Sequence, residues 1–106
     1  MDEHVYVYII RRTGSNEYKI GYSKHPEQRR RELQVAQGRK LEVVATYGTY
    51  RPIELETFLH DLLHPNRLRG EWFDLSPSWL NTILFEVHTR YSVTHPHLFD
   101  AQEINE

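Results

Sequence analysis

A short stretch in the first third of the chain joins a glycine-containing strand pattern to a helix with three consecutive arginines. Gly21 interrupts that strand, and glycine weakens a strand unless another group must approach closely there. Pro26 then suits the first turn of a helix. On this helix Arg29 shares a face with Leu33 and Ala36, which predicts that its guanidinium points toward the core. A buried guanidinium needs an anionic partner, either a protein carboxylate or a phosphate.

Positive charge is concentrated around this stretch. Seven of the 13 Lys and Arg residues lie between Lys19 and Lys40, together with two acids, while the formal net charge of the chain is -2. Arg30 and Arg31 are expected to point away from the core, where water or a phosphate backbone can bind them. The distribution therefore argues against a generally basic surface and favours one local basic face.

The composition indicates one domain in a reducing compartment. The chain has 106 residues and no cysteine, so disulfides and thiolate zinc sites are excluded and a cytoplasmic location is expected. No apolar run approaches the ~20 residues that cross a bilayer, and the acidic start does not resemble a signal peptide, so no membrane association is expected. We expect a single domain over residues 1–91 and a flexible tail over 92–106, because the tail has no periodic apolar face.

The periodicity predicts an α+β fold. Alternating apolar residues indicate strands, and proline and glycine mark the helix ends. The predicted strands cover 5–11, 17–22 and 41–50, and the predicted helices cover 26–37, 52–64 and a segment that begins at Ser76-Pro77. The first strand is apolar on both faces and should be central. Gly38 is the expected stop of the first helix. The expected architecture is a three-stranded antiparallel sheet flanked by helices, with an added C-terminal helix.

The last two predicted helices each have an apolar face at helical spacing. In the second helix this face is flanked by Glu56, which is either a solvated carboxylate or a ligand for a divalent ion. His60 lies one turn further on and should be near it. The residues expected to be buried are Leu55, Phe58, Leu59 and Leu62 in the second helix, and Trp79, Leu80, Ile83, Leu84 and Val87 in the third.

The order of these features resembles the GIY-YIG nuclease superfamily. Residues 7–11 (VYIIR) resemble its first signature, although the glycine of that signature is absent, and residues 19–21 (KIG) resemble the second. Arg29 lies eight residues after that glycine, as the arginine of the family does, and Glu56 matches its metal-binding glutamate. Residues 70–73 (GEWF) resemble a phage and bacterial subgroup, in which a lysine replaces the second-signature tyrosine, as Lys19 does here.

The resemblance implies a metal-dependent endonuclease that hydrolyses phosphodiester bonds of nucleic acid, with DNA favoured over RNA and with Mg²⁺ or Mn²⁺ as cofactor. Glu56 would bind the metal, and Arg29 would bind the scissile phosphate through parallel N–H groups. Tyr8 would orient or deprotonate the water, with its pKa lowered by Lys19. The alternative role of Tyr8 is ordinary strand packing.

Further residues are expected around this centre. Tyr18 lies on the opposite strand face from Lys19 and, with His60, would support the site. The expected contacts to nucleic acid are Tyr22, Lys24, His25, Arg30, Arg31 and Asn66. Specificity would come from the domain itself, from a protein partner or from a homodimer.

Two alternative functions stay open at this point. One is a catalytically inactive GIY-YIG-like module that binds nucleic acid, and the other is an interaction domain that uses Trp72, Phe73 and Trp79. A zinc protease is not expected, although His60 and His64 have the spacing of a zinc pair. His64 lies at a predicted helix end, and no third ligand is evident apart from His95 and His97 in the tail.

Overall fold

The computed structural model describes residues 5–90, with side chains as far as Val87. Within this range the chain forms five strands, three α-helices and one 3-10 helix. In chain order they are β1 (Val5–Arg12), β2 (Glu17–Ser23), α1 (Pro26–Gln34), β3 (Leu41–Thr49), α2 (Pro52–Leu62), the 3-10 helix (His64–Asn66), β4 (Arg67–Arg69), β5 (Trp72–Asp74) and α3 (Pro77–Arg90). The predicted flexible tail lies outside the described residues.

The strands form one antiparallel sheet in the order β3-β1-β2-β5-β4. β1 lies between β2 and β3, and its residues from Val7 to Ile10 are buried. The prediction of a central first strand is confirmed, because a strand with apolar side chains on both faces can bury them only when both faces are covered.

The prediction of three strands is wrong, since β4 and β5 add two more. Each has three residues, which is too short for an alternating pattern to be read from sequence. Gly70 has φ of 55° and Glu71 follows it in the two-residue connection between Arg69 and Trp72. A positive φ at the first loop position fits a tight hairpin turn. β5 then pairs with the first three residues of β2, from Glu17 to Lys19.

The first helix is shorter than predicted. It ends at Gln34 rather than Gln37, and Gly38 does not have a positive φ. The Gln34 side chain accepts a hydrogen bond from the Leu41 N–H at 2.7 Å, and its amide donates to the Arg39 carbonyl at 2.9 Å. These bonds hold the chain in a turn toward β3. As a result Ala36 lies outside the helix and is exposed.

The second helix has the predicted apolar face. Leu55 and Leu59 are fully buried, and Phe58 and Leu62 pack against the same cluster. The helix ends at Leu62, two residues before the predicted end, and a 3-10 turn carries the chain through Pro65. Proline cannot continue an α-helix, so an end shortly before it is expected.

The third helix begins where predicted. The Ser76 hydroxyl accepts a hydrogen bond from the Trp79 N–H at 3.3 Å and so caps the helix. Ile83 and Val87 are buried, and Leu80 and Leu84 pack against them. Trp79, however, is 38% exposed, so its predicted burial is wrong. None of the helices within residues 5–90 is long and apolar enough to span a membrane.

The sheet has a different hydrophobic cluster on each face. The larger cluster lies beneath α2 and α3 and contains Val7, Ile9 and Ile20 of the sheet. The smaller cluster contains Tyr8 and Ile10 and packs against the α1 side. Alternation along β1 therefore directs Tyr8 toward α1, which is the helix that carries the three arginines.

Candidate active site

The side chain of Tyr8 lies across Gly21 of the neighbouring strand. The two residues pair directly in the sheet, and a Cβ at Gly21 would lie 2.6 Å from the Tyr8 hydroxyl oxygen and 2.9 Å from Cζ. These distances are far below van der Waals contact, so only glycine leaves room for the phenol at this position. The group that approaches this glycine closely is therefore the Tyr8 side chain. The space above Gly21 fixes the position of the Tyr8 hydroxyl.

Arg29 interacts with the Tyr8 hydroxyl from α1. Its guanidinium also lies 3.2 Å from the Glu32 carboxylate, and its side chain is 45% exposed. Arg29 thus does have a protein carboxylate as a partner, but the pair lies on the surface. Because the guanidinium is accessible beside a phenol, a phosphate could approach both groups together.

Glu71, at the tip of the β4–β5 hairpin, binds Lys19. The carboxylate Oε1 lies 3.0 Å from the Lys19 ammonium, and it would lie 3.1 Å from a Cβ at Gly21. The main chain supports this placement, because the Ile20 N–H donates to the Glu71 carbonyl at 3.1 Å. Glu71 therefore joins the cluster, although only the segment around it, and not the residue itself, was a candidate from sequence.

Glu56 and His60 approach the same place from α2, on the other face of the sheet. Glu56 is 16% exposed, and its carboxylate lies 4.0 Å from His60 Nε2. His60 Nε2 is also 3.0 Å from the Ile20 carbonyl oxygen. A carbonyl oxygen only accepts, so Nε2 carries a proton in this arrangement. The predicted proximity of His60 to Glu56 is confirmed, and the bond to β2 anchors the histidine.

These groups meet where β5 separates from β2. Beyond Lys19 the outer side of β2 is covered by Glu71 and His60, which bond the main chain of Ile20. Helix α1 contributes Arg29 from one face of the sheet, and α2 contributes Glu56 from the other. We call the set Tyr8, Lys19, Arg29, Glu56, His60 and Glu71 the candidate site.

Electrostatic interactions in the candidate site couple its acids. Burial raises the pKa of Glu56, and the nearby Glu71 raises it further, while His60 and Lys19 lower it in part. Burial is also the main cause that raises the pKa of Tyr8, opposed by the hydrogen bond from Arg29 and reinforced by Glu71. The predicted lowering of the Tyr8 pKa by Lys19 is therefore wrong. The lysine is bound to Glu71, and the phenol is desolvated.

The donor set fits a divalent ion that is shared with a phosphate. Residues 5–90 contain no group of three His, Asp or Glu side chains arranged as a complete protein-borne metal site. Glu56 is a partly buried carboxylate whose charged form is disfavoured by burial and by a second carboxylate, and a cation would relieve both costs. Mg²⁺ commonly takes one or two carboxylates and completes its shell with water and phosphate oxygens. Glu56 is the residue that would hold it.

The predicted groove residues follow the candidate site along the chain. Three exposed residues lie around the junction of β2 and α1: Tyr22 near the end of β2, and Lys24 and His25 between the two elements. The His25 N–H donates to the Ser23 hydroxyl at 2.9 Å, which shapes this turn. All three side chains are near the start of α1 and accessible, so their role in nucleic-acid binding stays a prediction.

The two remaining arginines of α1 differ from each other. Arg30, expected to be solvated, is only 17% exposed: its guanidinium makes two bonds to Glu27, of 2.6 and 2.9 Å, and reaches the Leu41 carbonyl at 3.4 Å. Arg31 is exposed, and it lies 3.7 Å from Glu27. The side of the helix that faces the sheet is formed by Pro26, Arg30, Leu33 and Gln34. The predicted face, which contained Arg29, was therefore offset by one residue.

Four other candidates are engaged in the fold. Tyr18 is buried in the larger cluster, on the opposite face from Lys19 as predicted. The Asn66 amide donates to the Asp74 carbonyl at 3.2 Å and so ties the 3-10 helix to β5. Phe73 is fully buried, and Trp72 is half-buried with the Arg12 guanidinium 4.2 Å from its ring centroid. The aromatic interaction surface considered from sequence is therefore not exposed as a whole.

Fold and site together define a small α+β domain with a phenol, two cations and two carboxylates gathered at one edge of an antiparallel sheet. The model of the T5orf172 domain family matches residues 4–88, which is most of the chain. The chain belongs to the T5orf172 domain family. Searches of curated proteins and of solved structures find no match to it.

Proposed function

We propose that this domain is a metal-dependent endonuclease of the GIY-YIG type, which hydrolyses phosphodiester bonds of nucleic acid, with DNA the favoured substrate. The observation that carries the proposal is the Tyr8 phenol held across Gly21, with the Arg29 guanidinium close enough to influence its pKa. Glu56 adds a carboxylate from the opposite helix. The match to the T5orf172 domain family is compatible with a nuclease role.

The chemistry requires three groups in one place. Water attacks phosphorus, a new P–O bond forms, the bond to the leaving sugar oxygen breaks, and that oxygen takes up a proton. Arg29 would bind the phosphoryl oxygens with two parallel N–H donors, which stabilises the charge that develops there. Tyr8 would orient the attacking water through its hydroxyl, because its raised pKa keeps the phenol protonated at neutral pH.

A divalent ion held by Glu56 would supply Lewis-acid stabilisation of the phosphoryl and leaving oxygens. The contribution of the chain is to keep that carboxylate fixed and available. His60 restrains it from one turn away, and Glu71 raises its pKa. The carboxyl group must lose its proton before it can bind the ion, so activity should fall at acidic pH.

A binding module without catalysis is the second candidate, and one observation favours it. Lys19, the residue that replaces the second-signature tyrosine, is bound to Glu71 rather than directed at Tyr8. With the pKa of Tyr8 raised, the phenolate that could take a proton from water is scarce at neutral pH. A domain arranged in this way could hold a phosphate between Arg29 and Tyr8 without cutting the strand.

Cleavage assays separate the two candidates. Purified protein is incubated with supercoiled plasmid, single-stranded DNA and RNA, each with Mg²⁺, with Mn²⁺ or with a chelator. We expect cleavage with the metals only, and its loss in Glu56→Gln. Glu54→Gln, on the same helix but exposed and paired with Arg51, is the matched control and should cut normally.

Two results would overturn the nuclease proposal. One is cutting by chelator-treated protein as fast as by metal-loaded protein, which would exclude the role of the metal. The other is a wild-type protein that binds nucleic acid but cuts none of the substrates with either metal, which would favour the binding module. Thermal unfolding of each variant checks that loss of cleavage is not loss of fold.

A further inference from the structure

The β4–β5 hairpin carries two arginines that have no carboxylate partner within residues 5–90. Arg67 and Arg69 are both exposed, and neither makes a side-chain hydrogen bond or ion pair to a described residue. The other arginines with described side chains are held. Arg39 donates to the Thr13 carbonyl, and the six that pair with carboxylates are Arg11, Arg12, Arg29, Arg30, Arg31 and Arg51.

Neutralisation by neighbours changes where an anion would bind. On α1, Glu27 and Glu32 lie against the three consecutive arginines, and this offsets much of their charge. A free guanidinium keeps its five N–H donors and its full charge for a ligand. The two hairpin arginines therefore offer a phosphate positive charge that no carboxylate among the described residues offsets.

Arg69 connects the hairpin to the candidate site on the α1 side of the sheet. With Arg12, Glu17, Leu68 and Trp72 it lines a shallow groove of ≈ 280 Å³. The Trp72 ring, which lines this groove, has the Lys19 ammonium 5.8 Å from its centroid. Glu71, two residues after Arg69, is itself part of the candidate site. A ligand in the groove would thus be adjacent to the proposed reaction centre.

Arg67 makes the corresponding connection on the α2 side. Its guanidinium carbon lies 5.5 Å from the Phe73 ring centroid, and the Phe73 ring lies 5.1 Å from that of His60. The register shifts between Arg67 and Arg69, so that Arg67 lies opposite Phe73 and Arg69 lies opposite Trp72. Directly paired residues share a face, so the two arginines flank the sheet edge from both sides.

We propose that the β4–β5 hairpin is a phosphate-binding surface, on which Arg67 and Arg69 each bind a backbone phosphate of the nucleic acid next to the candidate site. The inference rests on the proposed function in taking nucleic acid as the ligand, but it does not depend on cleavage. The half-exposed Leu68, between the two arginines, offers an apolar contact for a sugar or a base. Arginine suits this role because its donors match phosphate geometry.

The test measures binding, not cleavage. A fluorescein-labelled DNA duplex and its separate single strand are titrated with protein in chelator over a series of salt concentrations. Each phosphate contact contributes about 0.7–0.9 to the slope of log affinity against log salt. We expect Arg67→Gln/Arg69→Gln to lower that slope by about 1–2 and to weaken binding at low salt about tenfold or more.

Matched variants isolate the hairpin from general charge effects. Arg39→Gln/Arg51→Gln removes the same charge from exposed arginines that already have protein partners, and it should change the slope by less than half as much. Arg67→Lys/Arg69→Lys keeps the charge and should keep most of the slope. If loss of the Arg67–Phe73 contact disturbs folding, the single variant Arg69→Gln, which keeps that contact, is used instead. Circular dichroism checks the fold of each variant.

The outcomes distinguish this inference from the proposed function. If the hairpin variant binds with the wild-type slope, or if the control pair loses as much as the hairpin pair, the hairpin is not the phosphate-binding surface, whether or not the protein cuts. A wild-type protein that binds neither duplex nor single strand also overturns the inference. If hairpin-dependent binding occurs but no metal supports cleavage, the hairpin assignment stands and the nuclease proposal fails.

Discussion

The ammonium of Lys19 lies 3.0 Å from the carboxylate of Glu71, although 52 residues separate them in the chain. The contact joins the tip of the β4–β5 hairpin to β2 at the edge of the candidate site. The same carboxylate raises the pKa of both Tyr8 and Glu56. Glu71 therefore has two effects, since it holds the lysine in place and adjusts the protonation of the two groups proposed to act on water and metal.

We predict that Glu71→Gln moves the pH dependence of cleavage to lower pH. A negative charge nearby disfavours ionisation, so its removal should lower the pKa of Glu56 and of Tyr8 toward their ordinary values. Lys19 would also be released to interact with the phenol. Single-turnover cleavage is measured as a function of pH beside the Glu54→Gln control. An unchanged profile would show that Glu71 does not influence the reacting groups.

Gly21→Ala should reduce cleavage strongly while the fold persists. A Cβ there would be 2.6 Å from the Tyr8 hydroxyl oxygen, so the phenol must move away from its contact with Arg29. The end of a side chain can shift more easily than the main chain, and the loss of stability should be of the order of 1–3 kcal/mol, as for other overpacked sites. Cleavage rates and denaturant unfolding are compared.

Gly38→Ala is the matched control for that change. A Cβ at Gly38 has no heavy atom within 4 Å, and its φ is not positive. It should cut at the wild-type rate. If Gly21→Ala cuts as well as Gly38→Ala does, the close approach of Tyr8 is not required for activity.

Arg29→Lys should bind substrate almost as well as the wild type and lose most of the rate. Lysine keeps the charge but cannot donate two parallel N–H bonds to one phosphate. Removal of such a stabilising donor typically costs about 10²–10³ in rate. The Arg29–Glu32 pair is 45% and 53% exposed, and surface pairs contribute about 0–1 kcal/mol, so thermal stability should change little. A stable variant with wild-type single-turnover rates would exclude Arg29 from catalysis.

Neutralising Arg30 and Arg31 separately should give different results. Arg30→Gln removes two bonds to Glu27 and one to the Leu41 carbonyl from a largely buried position, and we expect a loss of about 1 kcal/mol or more. Arg31→Gln should stay within about 0.5 kcal/mol and should weaken nucleic-acid binding slightly. Urea unfolding and binding titrations measure both. Equal destabilisation by the two changes would contradict the structural role of Arg30.

Glu56→Gln should gain stability over the wild type as pH rises. The pKa of Glu56 is raised in the folded state, so the favourable contribution of this group is fully present below its unfolded pKa and is lost as pH rises through the folded value. Above that value the ionised carboxylate disfavours folding, and glutamine removes this cost. The difference in melting temperature is measured at acidic and at neutral pH.

Divalent ions should stabilise the wild type but not Glu56→Gln, and so reverse the stability order of the two proteins at neutral pH. An ion that binds only the folded state stabilises it, so Mg²⁺ or Mn²⁺ should raise the melting temperature of the wild type but not that of Glu56→Gln. An equal rise in both proteins would place the ion somewhere other than Glu56.

Much of the candidate site could be anticipated because its signals are local. Pro26 marks the start of α1, and the apolar spacing of α2 directs Leu55 and Leu59 inward, with Glu56 beside them. The close approach at Gly21 followed from the cost of glycine in a strand. The single-residue offset on α1 had a physical cause, since none of its residues is fully buried. The face with Arg29 and the face with Arg30 were therefore almost equally suited to pack against the sheet. Contact with β3 selected the face with Arg30.

Residues 67–75 show what the sequence could not decide. Three-residue strands have little preference of their own, and they form here because β5 pairs with β2 and β4 pairs with β5. The chain must first close a loop of about 50 residues between Lys19 and Glu71, and no local pattern records the contact that results. The sequence alone determined the elements that carry Tyr8, Arg29 and Glu56. The tertiary structure placed Glu71 among them and gave Arg67 and Arg69 no carboxylate partner within the described residues. A contact such as Lys19–Glu71 forms only when distant strands meet, whereas pairs one helical turn apart, such as Arg29–Glu32, are set by local spacing.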